Sequence, residues 1–273
     1  MRHLGLKARM AVVGSALFAF YAIAAVVAMG AFGVSLPLVL VGSVAFVGIQ
    51  YKVGKWMALR SVGAEDLPEE RFSDIHRRVE RLSDEMGIDK PRLMIAQMGV
   101  PNAFAVGRKG NGTVVVSEEL LHRLEPDEVE GVLAHELAHI RNRDVVMMVL
   151  GQGVASIVAI VAQWAVLLTG DNDLADFVLA IVVGQITQML VMLFVFAISR
   201  YREYVADEDA AAEIGSGEPL ARALEKISRG TERSEAELDT QVNALCIFGE
   251  KRGIAKLFAT HPPVEKRIER LRA

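Results

Sequence analysis

Between Ala11 and Gln50 the chain carries no charged residue. This 40-residue run is enough for two membrane-crossing helices of about 20 residues each. Gly30, Gly33 and Pro37 mark where the chain can turn between them. A second charge-free run extends from Val145 to Gly170 and a third from Phe177 to Ser199, with Asp171, Asp173 and Asp176 between the two. Four transmembrane helices in two hairpins are therefore expected. The overall apolar fraction of 52% exceeds the roughly 45–50% of soluble domains, and the mean hydropathy is positive, at +0.31. The surplus lies in these runs, which points to spans and not to an oversized core. A cleaved leader with Ala22-Ile23-Ala24 as its processing site is the competing reading of the N-terminus. The first apolar stretch is too long for that and runs straight into the second.

Basic residues orient the spans. Arg2, Lys7 and Arg9 precede the first, Lys52, Lys55 and Arg60 follow the second, Arg141 and Arg143 precede the third, and Arg200 and Arg202 follow the fourth. The two connecting loops hold no Lys or Arg. By the positive-inside rule both termini and the polar part of the chain are expected on the cytoplasmic side of a cell membrane, with the lipid bilayer as a constant partner. The expected domains are an N-terminal transmembrane hairpin (1–51), an inserted transmembrane hairpin (145–199), and a cytoplasmic domain assembled from 52–144 and 200–273. The net charge of −4 comes with no basic tract, so no nucleic acid is expected as a partner. Cys246 is the only cysteine, which excludes an internal disulfide and argues against a thiolate metal site.

Within the polar part, Glu70–Met86 reads as an amphipathic helix with Phe72, Ile75, Val79 and Leu82 on one side and an exposed His76. Arg92–Ala96, Asn102–Val106 and Thr113–Ser117 read as strands. The last two flank the turn residues Arg108-Lys109-Gly110-Asn111-Gly112 and so form a hairpin. Helices are expected near Glu218–Ser228, Glu235–Ile247 and Pro263–Arg270.

Just after the hairpin stands His135-Glu136-Leu137-Ala138-His139, an H-E-x-x-H pattern. Glu125-Pro126-Asp127-Glu128 suits a helix N-terminus, and Val129, Val132, Leu133, Leu137 and Ile140 supply an apolar stripe at helical spacing. On such a helix residues i and i+4 share a face, so His135 and His139 can aim two imidazoles at one metal. Glu136, beside the first of them, can take a proton from water at that metal. Two solvated histidines on a surface helix are the bland alternative. A third ligand is expected from Glu203, which precedes Asp207 by one helical turn. Glu203 would bind the metal while Asp207 accepts a hydrogen bond from a ligand imidazole. The hairpin before the helix can pair its edge with an extended peptide, or it can simply cover the core.

These segments resemble the HtpX family of membrane zinc metalloproteases, whose wider relatives include the CAAX prenyl proteases. Four stretches carry the likeness: Pro101-Asn102-Ala103-Phe104-Ala105, His135 to Ile140, Ser199-Arg200 through Glu203 to Asp207, and Thr260-His261-Pro262-Pro263 with Arg267-Ile268. Val106 departs from the family, which often has Thr there. The resemblance implies a gluzincin-type, mainly α zincin-like domain with a small β-sheet on the cytoplasmic side. It implies one Zn²⁺ per subunit on His135, His139 and Glu203, and a strand at Asn102, Ala103 and Phe104 that receives substrate. It also implies action on misfolded or damaged membrane proteins and other unfolded polypeptides.

The expected chemistry is that of a zinc metalloendopeptidase. Two imidazoles, one carboxylate and an open position form a catalytic zinc set, with Glu136 as the base. His261, beside Pro262 and Pro263, which hold a fixed turn, is either a donor to the oxyanion or a structural residue that caps a helix, fills the core or holds the C-terminal turn. Three rival readings are an intramembrane zinc protease, a prenyl-CAAX-type processing protease and a non-enzymatic membrane scaffold. The charges around HELAH argue against the first, the small number of spans against the second, and the complete ligand set against the third.

Overall fold

A computed structural model describes residues 4–171, 173–229 and 262–273. The chain divides into two compact units, Met1–Gly54 with Val146–Arg200, and Lys55–Val145 with Tyr201–Ala273.

The first unit is helical. α1 (Leu4–Phe32) and α2 (Leu36–Ser61) are joined by a short turn at Gly33, whose φ of 65° suits a residue without Cβ. α6 (Asp144–Thr169) and the long α7 (Leu174–Ile214) lend most of their apolar length to the same unit. All four are long and apolar enough to cross a membrane. Helices suit this environment because each satisfies its own backbone hydrogen bonds where no water is at hand. Large apolar side chains such as Phe18, Val44, Trp164 and Leu179 point outward and are exposed, while Ala24, Ala155, Ala159 and Ala180 are buried. Close approach through small residues is the usual way helices pack without a hydrophobic driving force between them. A Cβ on Gly151 would lie 2.7 Å from Val195, and one on Gly153 would lie 2.6 Å from Val47.

The second unit is built on a four-stranded mixed sheet in the order β1-β2-β4-β3. Its strands are β1 (Glu65–Asp66), β2 (Arg92–Ala96), β3 (Ala103–Arg108) and β4 (Asn111–Ser117). β2 and β4 run parallel, with Met94 opposite Val115, and β3 and β4 form an antiparallel hairpin, with Ala105 opposite Val114. β3 is therefore an edge strand. The turn at Gly107 and Gly110 demands glycine, since both have positive φ and a Cβ on Gly107 would lie 2.2 Å from the Asn111 carbonyl.

α3 (Ser73–Met86) and α5 (Pro126–Arg141) pack together on one side, with the short α4 (Glu118–Arg123) after the sheet. Val79 and Leu82 from α3, Val114 and Val116 from β4, and Leu133, Leu137 and Ile140 from α5 share one buried core with Leu220 and Ala223 of α8 (218–229). α3 starts three residues later than its apolar periodicity suggests. His76 is not free on its surface: it is half-buried, and its Nε2 lies 3.0 Å from the Leu67 carbonyl. The described chain closes with α9 (Val264–Arg272). Cys246, His261 and the helix expected over Glu235–Ile247 lie outside the described residues.

Candidate metal centre

α5 presents the HELAH residues because its sequence settles where it starts and which side it buries. Pro126 occupies its first turn, where a missing N–H costs nothing. The Glu128 carboxylate accepts the Glu125 backbone N–H at 2.8 Å. Leu133 and Leu137 are fully buried on the core side, and His135 and His139 follow on the adjoining face, one turn apart. Their rings meet edge to face, with centroids 4.6 Å apart and planes at 86°. The two Nε2 atoms are 3.1 Å apart.

Glu203 comes from the polar end of α7. α7 continues unbroken through Ser199, so the segment expected to follow the last span is part of the same helix. The Glu203 carboxylate oxygens lie 3.4 Å from His139 Nε2 and 3.6 Å from His135 Nε2. His135, His139 and Glu203 thus bring one ligand atom each within 4.8 Å of one another. Glu136 is buried directly beside them.

Each imidazole is gripped on its far side. His135 Nδ1 is 3.0 Å from Asp207, one turn beyond Glu203 on α7. His139 Nδ1 is 2.7 Å from Asp144, the first residue of α6. A carboxylate at Nδ1 fixes the tautomer that leaves Nε2 free to accept. The helical path breaks between α5 and α6 at Arg143, whose φ of 58° is a left-handed conformation uncommon outside glycine, and Asp144 follows it directly. Each carboxylate is in turn held by a buried arginine. Arg202 binds Asp144 and also donates to the Asn142 carbonyl at 2.8 Å. Arg267, from α9, donates twice to Asp207, at 2.7 and 2.8 Å, and lies 3.1 Å from Glu203.

The electrostatics are those of a cation site. Burial, and then Arg267, act to lower the His135 pKa, yet the hydrogen bonds to Asp207 and Glu203 outweigh them and raise it to about 9. Burial, and then the charge on His135, push His139 down to about 4. Burial would raise the Asp207 carboxyl, but His135 and Arg267 hold it below the usual carboxylate range. One positive charge is thus stabilised between two facing nitrogens and a carboxylate. A divalent metal fits the same donors. Ligands at about 2.0–2.2 Å in a tetrahedron lie about 3.3–3.6 Å apart, close to the observed 3.1, 3.4 and 3.6 Å.

The sequence pattern singled out His135, Glu136, His139, Glu203 and Asp207, and the structure brings all five together. Asn102 is exposed at the head of β3, and Ala103 and Phe104 are half-buried on that edge strand, which packs against α5. Sequence reasoning passed over Asp144, Arg202 and Arg267. Asp144 follows His139 by five residues, a spacing that a continuous helix would point elsewhere. Arg267 lies 132 residues from His135. Its place in the C-terminal motif was the available signal for Arg267.

Comparison with known proteins agrees with this geometry. Residues 69–273, which hold all of these side chains, match the model of Peptidase family M48. A protease HtpX homolog from Halobacterium salinarum is 62% identical, over 97% of this chain and 100% of that protein. One from Pyrococcus abyssi is 41% identical over 80% of this chain and 77% of that protein. Among solved structures, that of Ste24p from S. mikatae shares the fold with a TM-score of 0.59 at 19% identity, covering 97% of this chain and 63% of that one. Family membership, the four apolar helices and the His-His-Glu group converge: the chain belongs to peptidase family M48 and is a membrane metallopeptidase of the HtpX kind.

Proposed function

We propose that this metallopeptidase is a zinc endopeptidase working at the cytoplasmic face of the membrane, cutting misfolded or damaged membrane proteins. The observation that carries the reading is the convergence of His135, His139 and Glu203 around one point with Glu136 buried alongside. Zinc suits a nitrogen-rich set of two imidazoles and one carboxylate with a position left open for chemistry. When bound there it supplies Lewis acidity, polarising a carbonyl and making water acidic near neutral pH.

The chain's own residues do the rest. Glu136 takes a proton from the attacking water as the bond to the scissile carbonyl carbon forms, and then delivers it to the departing amine. Asp207 and Asp144 hold the two imidazoles with Nε2 turned inward. β3 pairs only with β4 among the described residues, so the N–H and C=O groups on its other side can bind an extended peptide as an added strand. Asn102, Ala103 and Phe104 then lie along the substrate. That places a bound backbone beside α5, where Glu136 stands. His261 is proposed as the donor that stabilises the oxyanion. The cytoplasmic placement rests on the Lys and Arg that flank every span on one side.

The test uses the full chain purified in detergent, with an unfolded protein such as casein as substrate. Cleavage should stop on chelation and return with zinc. Glu136→Gln should keep its zinc and lose cleavage, because an amide of the same shape cannot accept the proton. Cleavage by Glu136→Gln at the wild-type rate would overturn the assigned base, and cleavage unaffected by removal of all metal would overturn the reading as a whole.

A further inference from the structure

α9 is clamped to the rest of its unit by three arginines within its last two turns. Arg272 binds Glu218 and Glu225, at 2.9 and 2.7 Å. Arg270 binds Glu208 at 2.7 Å and lies over the Tyr204 ring, 4.4 Å from its centroid. Both of these arginines are well exposed. Arg267 differs: it is 6% exposed and its guanidinium meets the metal-site carboxylates. Gly217 lets the helix come this close, since a Cβ there would lie 2.2 Å from the Leu271 carbonyl.

We infer that Arg267 is a positioning residue for the metal site, acting through Asp207 and Glu203, and that docking of α9 is therefore part of building the site. The geometry gives the reason. Nε and Nη2 of Arg267 each donate to one oxygen of Asp207. This two-point contact fixes the plane of the carboxylate as well as its place. The same Asp207 oxygen that meets Nη2, Oδ1, lies 3.0 Å from His135 Nδ1, so the orientation passes to the imidazole. Nη1 meets Glu203 Oε2, which restrains the third ligand from the same guanidinium. A buried guanidinium also offsets part of the negative charge of Glu203, Asp207 and Glu136, whose crowding would otherwise drive the carboxylates apart. A lysine in its place keeps the charge and loses the planar pair of donors.

The inference rests on the metal assignment made above, and the experiment separates the two. The full-length protein in detergent is titrated with zinc against a chromophoric chelator, for wild type and for Arg267→Met, Arg267→Lys, Arg270→Ala and His139→Ala. Arg267→Met should weaken zinc binding by about 10–100-fold, as loss of an outer partner of a ligand does. Arg267→Lys should recover only part of this, and it supplies the measurement should the methionine variant fail to fold. Arg270→Ala removes an outer clamp of the same helix, so its melting temperature should fall while its zinc affinity stays within about 2-fold of wild type. Wild-type zinc affinity in both Arg267 variants, with binding lost in His139→Ala, overturns the role of Arg267 alone. An equal loss of affinity in Arg270→Ala and Arg267→Met also overturns it, because helix docking and not the guanidinium would then be what matters. Retention of zinc by His139→Ala overturns the metal assignment and this inference with it.

Discussion

The two histidines sit in one motif, four residues apart, and titrate in opposite directions. His135 is raised to about 9 because Asp207 and Glu203 outweigh its burial, and His139 is lowered to about 4 because burial and His135 act together. In an unfolded chain both titrate near 6.5. Between about pH 6.5 and 9 the folded metal-free protein holds a proton on His135 that the unfolded chain does not, so stability is lost as pH rises through about 9. Between about 4 and 6.5 the unfolded chain protonates His139 and the folded one does not, so stability is lost as pH falls. The melting temperature of metal-free protein, measured across this range, should show a maximum near 6.5 that His135→Gln flattens on its alkaline side. Metal binding at pH 7 should release about one proton, seen by calorimetry in buffers of different ionisation enthalpy. Asp144→Ala should weaken metal binding by about 10–100-fold, as Asp207→Ala should, because each removes the acceptor from one ligand imidazole. Zinc affinity equal to wild type in Asp144→Ala would show that the 2.7 Å contact to His139 has no part in holding the metal. His261→Ala should lower kcat by about 10²–10³ and leave zinc binding and KM nearly unchanged if His261 donates to the oxyanion. A loss of melting temperature with kcat retained would assign it to the C-terminal turn instead.

At the scale of the element, α5 shows what a sequence can and cannot disclose. Its start was legible in Pro126 and the acids beside it, its buried side in Val129, Val132, Leu133, Leu137 and Ile140, and its ligands in a spacing that only a helix satisfies. The hairpin of β3 and β4 was legible in the glycines around Asn111, and Glu203 with Asp207 in a second four-residue spacing. Asp144 was not, because its contact with His139 comes just after one left-handed residue, Arg143, that breaks the helical path at the end of α5. No periodicity reports a break of that kind. Arg267 was not, because its partners come from α7, and only tertiary packing brings an arginine from α9 against them. β1 has two residues, too few for an alternation to show. The packing of α5 on α8 can be probed at Gly131, where a Cβ would lie 2.9 Å from the Leu220 backbone nitrogen. Valine has a better helix propensity than glycine by a few tenths of a kcal/mol. Overpacking against backbone costs about 1–3 kcal/mol, so Gly131→Val should lower the melting temperature. An unchanged or raised value would mean that α8 can move aside freely.

For the whole molecule, the proposed cytoplasmic orientation decides which loops an external reagent can reach. With Cys246 replaced by serine, a cysteine at Asp173 should react with an impermeant thiol reagent added to intact cells, and one at Lys109 should react only after lysis. The reverse pattern would invert the orientation drawn from the flanking Lys and Arg. The division of the chain bears on this. The peptidase unit is not continuous in sequence: residues from Lys55–Val145 and from Tyr201–Ala273 share it, and an apolar hairpin separates the histidines from Glu203. Charge-free runs are easily read from sequence. That the flanking pieces fold together follows from the ligand geometry, since neither piece holds a complete set of donors.

Arg267 comes 132 residues after His135 and is among the last of the site's residues to leave a ribosome. A nascent chain carrying HELAH, and even one that has gone on to Glu203, still lacks the guanidinium that steadies Asp207 and Glu203. The order of synthesis then acts as a safeguard. A hydrolase made beside the membrane proteins it is proposed to cut acquires its tight metal site only after α9 has been made as well as the segments that carry its ligands. Products of premature termination, with both histidines intact but no α9, should bind zinc weakly and pose little danger to their neighbours.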